Sequence, residues 1–254
     1  MITAITRAPS ATMEGCELTF LSREAIDIDR ARVQHAAYRA ALVAAGADVV
    51  LLPALDDLPD SVFVEDTAIV LDSVAIVSTM GAESRRPETA AMAPVLRRYR
   101  TVQTLVAPAT LDGGDVMRVG STLYVGQTAR TNHAAVDQLS KILGRAGYRV
   151  IGVPLTKCLH LKSACTALGP RQVLVNPDWV SPEIFEGLDV ITVDADEPFG
   201  ANAVIVGDAL IVPASAPRTR ERLASTGLHQ PVAVDISEFE KAEAAATCLS
   251  LILS

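Results

Sequence analysis

The sequence predicts an α/β fold of five repeated hairpin–helix–strand units, arranged as a five-bladed pseudo-symmetric α/β propeller. Three observations lead there. Polar landmarks recur as Glu65-Asp66, Asp112, His160, Asn202 and Cys248, separated by 47, 48, 42 and 46 residues counted from Glu65. Each precedes a short apolar stretch, in turn TAIVLDSVAIV, GGDVMRVGSTLYVG, LKSACTALGPRQVLV, AVIVGDALIVP and LSLIL. Finally, the terminal strand CLSLIL and the initial strand ITAIT each lack a neighbouring partner. Pairing them would complete a hairpin and close the ring, which removes exposed sheet edges. A doubly wound open sheet also alternates strands and helices and is the competing architecture. The even spacing and the two unpartnered terminal strands favour the ring. No linker or low-complexity segment divides the chain, so residues 1–254 read as a single domain.

The elements follow in order. In IDIDRARVQHAAYRAALVAAG, Val33, Ala37, Ala40, Ala41 and Ala44 share one helical face. Gly46 ends that helix, and ADVVLLP follows as a short buried strand stopped by Pro53. The order returns as a hairpin over 68–79, a helix around 84–99 and TVQTLVAP, then as a hairpin over 115–126, a helix around 128–146 and YRVIGVPL. The fourth unit has a shorter helix near 181–187 before LDVITVD. The fifth has a hairpin over 203–213, a helix near 217–226 and PVAVDIS, and Cys248 opens the final strand.

Half the 254 residues are apolar and a fifth are charged, which suits a packed core. A net charge of -8 argues against a nucleic-acid partner, because phosphate binding needs clustered Lys and Arg. The acidic balance suits a cationic small molecule. MITAITRAPS has no secretory pattern, and no stretch reaches the roughly 18 apolar residues of a membrane span. A cytoplasmic protein, monomeric or homodimeric and free of membrane contact, is expected. Cys16, Cys158, Cys165 and Cys248 show no CxxC spacing, so they read as free thiols without a zinc or redox motif. No GxGxxG or GxxxxGK[ST] loop is present, and GGD at 113–115 reads as a turn. Neither a metal nor an organic cofactor is expected.

Taken singly, each landmark has an ordinary reading. Cys248 could be a small buried hydrophobe, His160 in CLHLKSACT a core histidine, and Asp112 in TLDGGD a turn former. Glu65 and Asp66 are harder to dismiss, because two carboxylates interrupt apolar strand sequence where unpaired charge is costly. Alternation along a strand would let only one of them face a given pocket. Their shared register is what independent roles would not require. A thiol, an imidazole and carboxylates at equivalent repeat positions are the equipment of thiol covalent catalysis.

The wording of the motifs carries a family resemblance. PDSVFVEDTAIV, GAESRR, LDGGDVMRVG, ARTN, LHLKS, ANAVIV and TCLSL resemble, in order and nearly end to end, the dimethylarginine dimethylaminohydrolases of the guanidine-modifying, pentein-fold superfamily. The resemblance implies hydrolysis of Nω-methylated arginine to citrulline plus an amine. It implies Cys248 as nucleophile, His160 as general acid and base, and Asp112 as the acid supporting histidine and guanidinium. Asp66 would hold the substrate guanidinium, with Glu65 beside it. Asp60 and the Leu18 backbone would meet the α-amine, Arg85 and Arg130 would clamp the α-carboxylate, and Phe63 would form a pocket wall. Residues 14–30 would form a mobile lid. Arg86 reads as a surface ion-pair residue. An arginine deiminase-like activity, an amidinotransferase and a non-catalytic amino-acid-binding protein are the competing functions.

Overall fold

Short β-branched runs bounded by turn residues form strands, and in this chain every three strands make a sheet of their own. The computed structural model describes residues 1–254 and contains five three-stranded sheets. In the first sheet β1 (Ile2–Arg7) leads through α1 (Ile28–Ala44) to β2 (Ala47–Leu52), which runs parallel to it. In the second, β3 (Ala68–Val70) and β4 (Val74–Val77) form a hairpin, and α2 (Arg86–Leu96) crosses to β5 (Thr101–Thr104), parallel to β4. The third repeats this with β6 (Val116–Val119), β7 (Thr122–Gln127), α3 (His133–Gly144) and β8 (Arg149–Pro154). The fourth follows the single turn α4 (Leu161–Ala164), with β9 (Cys165–Ala167), β10 (Gln172–Val175) and β11 (Asp189–Thr192). The fifth has β12 (Val204–Val206), β13 (Ala209–Pro213), α5 (Pro217–Ser225) and β14 (Gln230–Val234). After α6 (Ser237–Glu240), β15 (Leu251–Leu253) pairs antiparallel with β1, Thr3 opposite Leu253 and Ile5 opposite Leu251. The expected pairing of the two chain ends is therefore present. Five separate sheets rule out the doubly wound open sheet.

Four local expectations need correction. The buried face of α1 is Ala31, Gln34, His35, Tyr38 and Leu42, whereas Val33 is 69% exposed. The stripe of small apolar residues, half-buried Ala41 apart, faces outward, while Tyr38 and Gln34 turn inward to Ser250 at 2.7 Å and Ser237 at 2.8 Å. ADVVLLP is an outer strand rather than a buried one: only Ala47 is buried, and it pairs with β1 on one side. The helix expected over 128–146 starts later, because the Asn132 side chain accepts the Ala135 N–H at 3.1 Å and caps α3. The stretch near 181–187 is one 3-10 turn, Pro182–Phe185, too short for an α-helix.

A fifth correction concerns the landmarks. Glu65 and Asp66 lie in a 3-10 turn, Val64–Thr67, and Cys248 in another, Ala246–Leu249, not in strands. Asp112 and His160 stand at the start of the short turns Gly113–Asp115 and α4, and Asn202 directly follows Pro198–Ala201. One helical turn before the first strand of each repeat is thus the recurrent landmark position. A turn, unlike a strand, does not send successive side chains to opposite faces, and Glu65 and Asp66 are both buried.

Packing divides the chain into two compact units, residues 1–65 with 194–254, and residues 66–193. The first gathers one apolar core that includes Met13, Tyr38, Leu42, Phe63, Phe239 and Leu249. The second has two, one around Ile76, Leu123 and Leu139 and one around Leu161, Val173 and Phe185. No helix is long and apolar enough to cross a membrane.

Candidate active site

In the unit spanning 66–193, the turn before α4 delivers His160 into a nest of carboxylates. Its Nε2 lies 3.1 Å from Asp112 Oδ2 and its Nδ1 3.7 Å from Asp66 Oδ1. Burial by itself would lower the pKa of this imidazole. The Asp66 charge and the hydrogen bond to Asp112 outweigh burial and lift it to about 9. Asp66 answers in kind: burial pushes it up, but His160 and Arg85 hold it below the usual carboxylate range. Near neutrality the pair is an imidazolium and a carboxylate.

The rest of this cluster fixes the two acids. Asp66 Oδ1 accepts the Gly114 N–H at 3.0 Å and Oδ2 accepts Arg85 Nη1 at 2.8 Å. Arg85 donates its Nε and Nη2 to the two oxygens of buried Glu88, each at 3.0 Å, a fork-on-fork pairing. Asp112 Oδ1 accepts the Gly81 N–H at 2.9 Å. Arg130 Nη1 lies 3.7 Å from Asp112 Oδ2 and, although buried, makes no hydrogen bond. Gly114 is the floor of the cluster. A Cβ there would sit 2.6 Å from Asp66 Oδ1 and 2.7 Å from His160 Nδ1, so no side chain fits. Arg86 pairs with Glu83 at 3.1 Å on the surface, as its sequence position suggested.

Asp115 belongs to this site and was not singled out by sequence reasoning. Its Oδ1 accepts the N–H of Leu161, the residue after His160, at 2.9 Å, and its Oδ2 accepts the Thr128 hydroxyl at 2.8 Å. Thr128 Oγ1 in turn accepts the Arg130 N–H at 3.0 Å. One buried carboxylate thus joins the histidine turn to the arginine turn, and burial pushes its pKa up to about 6 despite these contacts. The second acid of LDGGD was its only sequence signal. Ligand atoms of Asp66, Asp112 and His160 lie within 4.8 Å of one another, close enough for a metal ion. A metal ion there would have to displace the imidazole proton that the Asp66 charge and the Asp112 hydrogen bond favour.

The other unit carries the thiol. Cys248 is half-buried, and the Ala245 N–H points at its Sγ from 3.5 Å. The turn is held through the residue before it. Asn202 Oδ1 accepts the Thr247 N–H at 2.8 Å and Asn202 Nδ2 donates to Thr247 Oγ1 at 2.9 Å. The Thr247 hydroxyl then donates to Glu65 Oε2 at 2.6 Å. Two landmarks, Asn202 and Glu65, therefore hold the Cys248 turn through Thr247, a residue that sequence reasoning passed over. Burial raises the thiol pKa of Cys16, of Cys158 to about 12, and of Cys165 further still. None of these three is poised as a thiolate.

In this same unit Asp60, buried, accepts the Glu17 N–H at 3.1 and 3.3 Å, which places half-buried Leu18 next to it in the chain. Phe63 is buried edge-on against Phe239, ring centroids 6.4 Å apart.

Residues 11–190 match the family model for eukaryotic N,N dimethylarginine dimethylhydrolase. The chain belongs to the dimethylarginine dimethylaminohydrolase family. A dimethylarginine dimethylaminohydrolase of Streptomyces coelicolor is 44% identical over 253 residues, 98% of this chain and 96% of that one. The crystal structure of the Pseudomonas aeruginosa enzyme, a cysteine-to-serine mutant complexed with citrulline, is 35% identical and covers 100% of both chains with a TM-score of 0.95. A histidine-to-glycine dimethylarginine dimethylaminohydrolase, as its adduct with S-methyl-L-thiocitrulline, superposes with a TM-score of 0.94 at 35% identity over 100% of both chains. The five three-stranded sheets are accordingly the five blades of the α/β propeller, the pentein fold, that the sequence predicts.

Proposed function

We propose that this chain hydrolyses Nω-methylated arginine, as monomethyl- or asymmetric dimethylarginine, to citrulline plus methylamine or dimethylamine. The observation that carries the reading is the buried His160 imidazole held between two carboxylates, Asp66 and Asp112, in a member of this family. A guanidinium is delocalised and permanently charged, so its central carbon is a poor electrophile until carboxylates grip its fork. Asp66 and Asp112 take that role, with Glu65 steadying the thiol turn.

The steps follow from what each group can give. The thiolate of Cys248, facing the cationic substrate, adds to the guanidinium carbon. His160 gives its proton to the departing amine nitrogen as the C–N bond breaks, which leaves a thiouronium on Cys248. Neutral His160 then takes a proton from water. The hydroxide adds to the same carbon, and collapse expels the Cys248 thiolate and releases citrulline, the hydroxyl proton passing to the released amine or to water. A relative complexed with citrulline and another held as an adduct with S-methyl-L-thiocitrulline support citrulline as product and an adduct on the way to it. Arg130, with a buried Nη1 that makes no hydrogen bond, offers donors for an α-carboxylate. Arg85, as the second member of that clamp, shares its fork with Asp66 and Glu88. Asp60 and the Leu18 carbonyl receive the α-amine, and Phe63 walls the pocket.

The test is to offer arginine, monomethylarginine and asymmetric and symmetric dimethylarginine and to identify the amine released. Methylamine and dimethylamine are expected from the first two methylated substrates, and nothing from the symmetric form, which is blocked on both terminal nitrogens. A kcat/KM for arginine that exceeds that for asymmetric dimethylarginine by about tenfold, a difference of some 1.4 kcal/mol at the transition state, would replace this reading with a deiminase.

A further inference from the structure

Between the 3-10 turn Met13–Gly15 and α1 the chain runs without strand or helix, so its amides need partners outside any ladder. Apolar burial holds the two ends of this strap, through Cys16 and Ile26, but not its middle, where Phe20 is 51% exposed and Leu21 39%. Charged side chains from 238–243 hold it instead. The Glu243 carboxylate accepts three successive N–H groups, those of Thr19 at 3.0 Å, Phe20 and Leu21. Lys241 donates to the Ala25 carbonyl at 3.0 Å and to Glu238, and Glu238 accepts the Asp27 N–H at 2.9 Å. Arg23 folds the strap back by donating to the carbonyls of Glu14 and Cys16. The Asp60 carboxylate holds Glu17 from the other side. Leu18 is thus bracketed in sequence by two amides, each bound to a carboxylate.

The backbone of Glu243 is a second, independent sign. It is the only non-glycine residue with a positive φ, 56°, and it closes the turn after α6, with the Ala244 N–H bonded to Phe239 O at 3.1 Å. Glycine is the ordinary occupant of such a turn, because a Cβ is disfavoured there. A glutamate at this position accepts the steric cost and supplies a carboxylate that glycine lacks.

We propose that Glu243 is a positioning residue for substrate, latching the strap at Thr19–Leu21 and so fixing the Leu18 carbonyl that receives the substrate α-amine. It rests on the Leu18 role in the reading above. Without the latch, three amides turn to solvent and Leu18 keeps only the Asp60 anchor at Glu17 and its own packing on the core. Binding of an α-amino substrate then suffers while the reacting groups stay in place.

Glu243→Gly removes the carboxylate and suits the local φ, so the variant should fold with a Tm no lower than that of the parent. Its KM for asymmetric dimethylarginine should rise by roughly tenfold or more, the loss of contacts to a charged group, with kcat little changed. The analogue lacking the α-amine, Nω,Nω-dimethyl-5-guanidinovalerate, should bind both proteins equally. Glu243→Gln, which keeps the reach and one acceptor oxygen, should recover part of the loss. Amide hydrogen exchange at 19–21 should speed up in Glu243→Gly, and this readout needs no turnover. A parent inactive on every methylarginine would overturn the functional reading, while the exchange rates still decide the latch. Unchanged exchange, an unchanged KM, or a KM rise equal for both substrates overturns the proposal.

Discussion

His35 and His160 are buried to the same degree in different units of the molecule, and their surroundings drive them to opposite charge states. On α1, His35 packs with Phe239, ring centroids 6.2 Å apart, with Arg39 as its charged neighbour. Burial first, and then that like charge, push its pKa down to about 3, so it stays neutral. His160 suffers the same burial, yet Asp66, Asp112 and Asp115 carry it up to about 9. Burial alone makes a histidine a neutral core residue. Converging carboxylates make it an acid that holds a proton through neutral pH. Sequence context suggests the reverse assignment, since His35 sits among Gln34, Arg32 and Arg39 while His160 lies between two leucines.

Substitution should separate the two sites most sharply. His160→Gly should lower kcat by about 10²–10⁴-fold, the range for losing a general acid and base. His35→Leu should leave kcat/KM unchanged and Tm equal or higher, because a neutral ring with no hydrogen bond at Nε2 is replaced by an apolar group. Steady-state kinetics of both variants, with circular dichroism to confirm folding, check the contrast. Comparable losses in the two would show that the charge environment is not what distinguishes them.

A smaller effect tests what raises His160. Asp112→Asn removes a hydrogen bond and a charge that favour the imidazolium. The alkaline limb of kcat/KM against pH should therefore move from near 9 toward neutrality, with a lower plateau. An alkaline limb that stays in place would assign the raised pKa to Asp66 and Asp115 alone.

The smallest effect is on stability, and the two histidines contribute with opposite sign. His160 is raised above its ordinary 6.5, so its stabilisation is complete below that value and is lost as pH rises through about 9. His35 is depressed, so its stabilisation is present above 6.5 and is lost as pH falls toward about 3, by at most about 1.4 kcal/mol per pH unit. Denaturant midpoints across pH should show the acid-side slope shrinking in His35→Leu and the alkaline-side slope shrinking in His160→Gly. The same slope in either variant and the parent breaks the assignment for that histidine.

Local pattern determined a good deal by itself. The four apolar hairpins, their order, the crossover helices of four repeats and the pairing of the chain ends follow from periodicity and turn residues. The landmark spacing likewise located five equivalent positions, because one repeat places one helical turn before its first strand each time. Tertiary structure decided the rest, wherever a remote partner outweighed the local pattern. Gln34 and Tyr38 turn the face of α1 inward because Ser237 and Ser250 await them more than 200 residues away. Asp115 acquires its role only when Leu161 and Thr128 close around it, and Thr247 only between Asn202 and Glu65. A histidine's neighbours in sequence do not state its charge. The field at a buried imidazole is set by whichever carboxylates the fold brings within a few ångströms, and those lie 48 and 94 positions away in the chain.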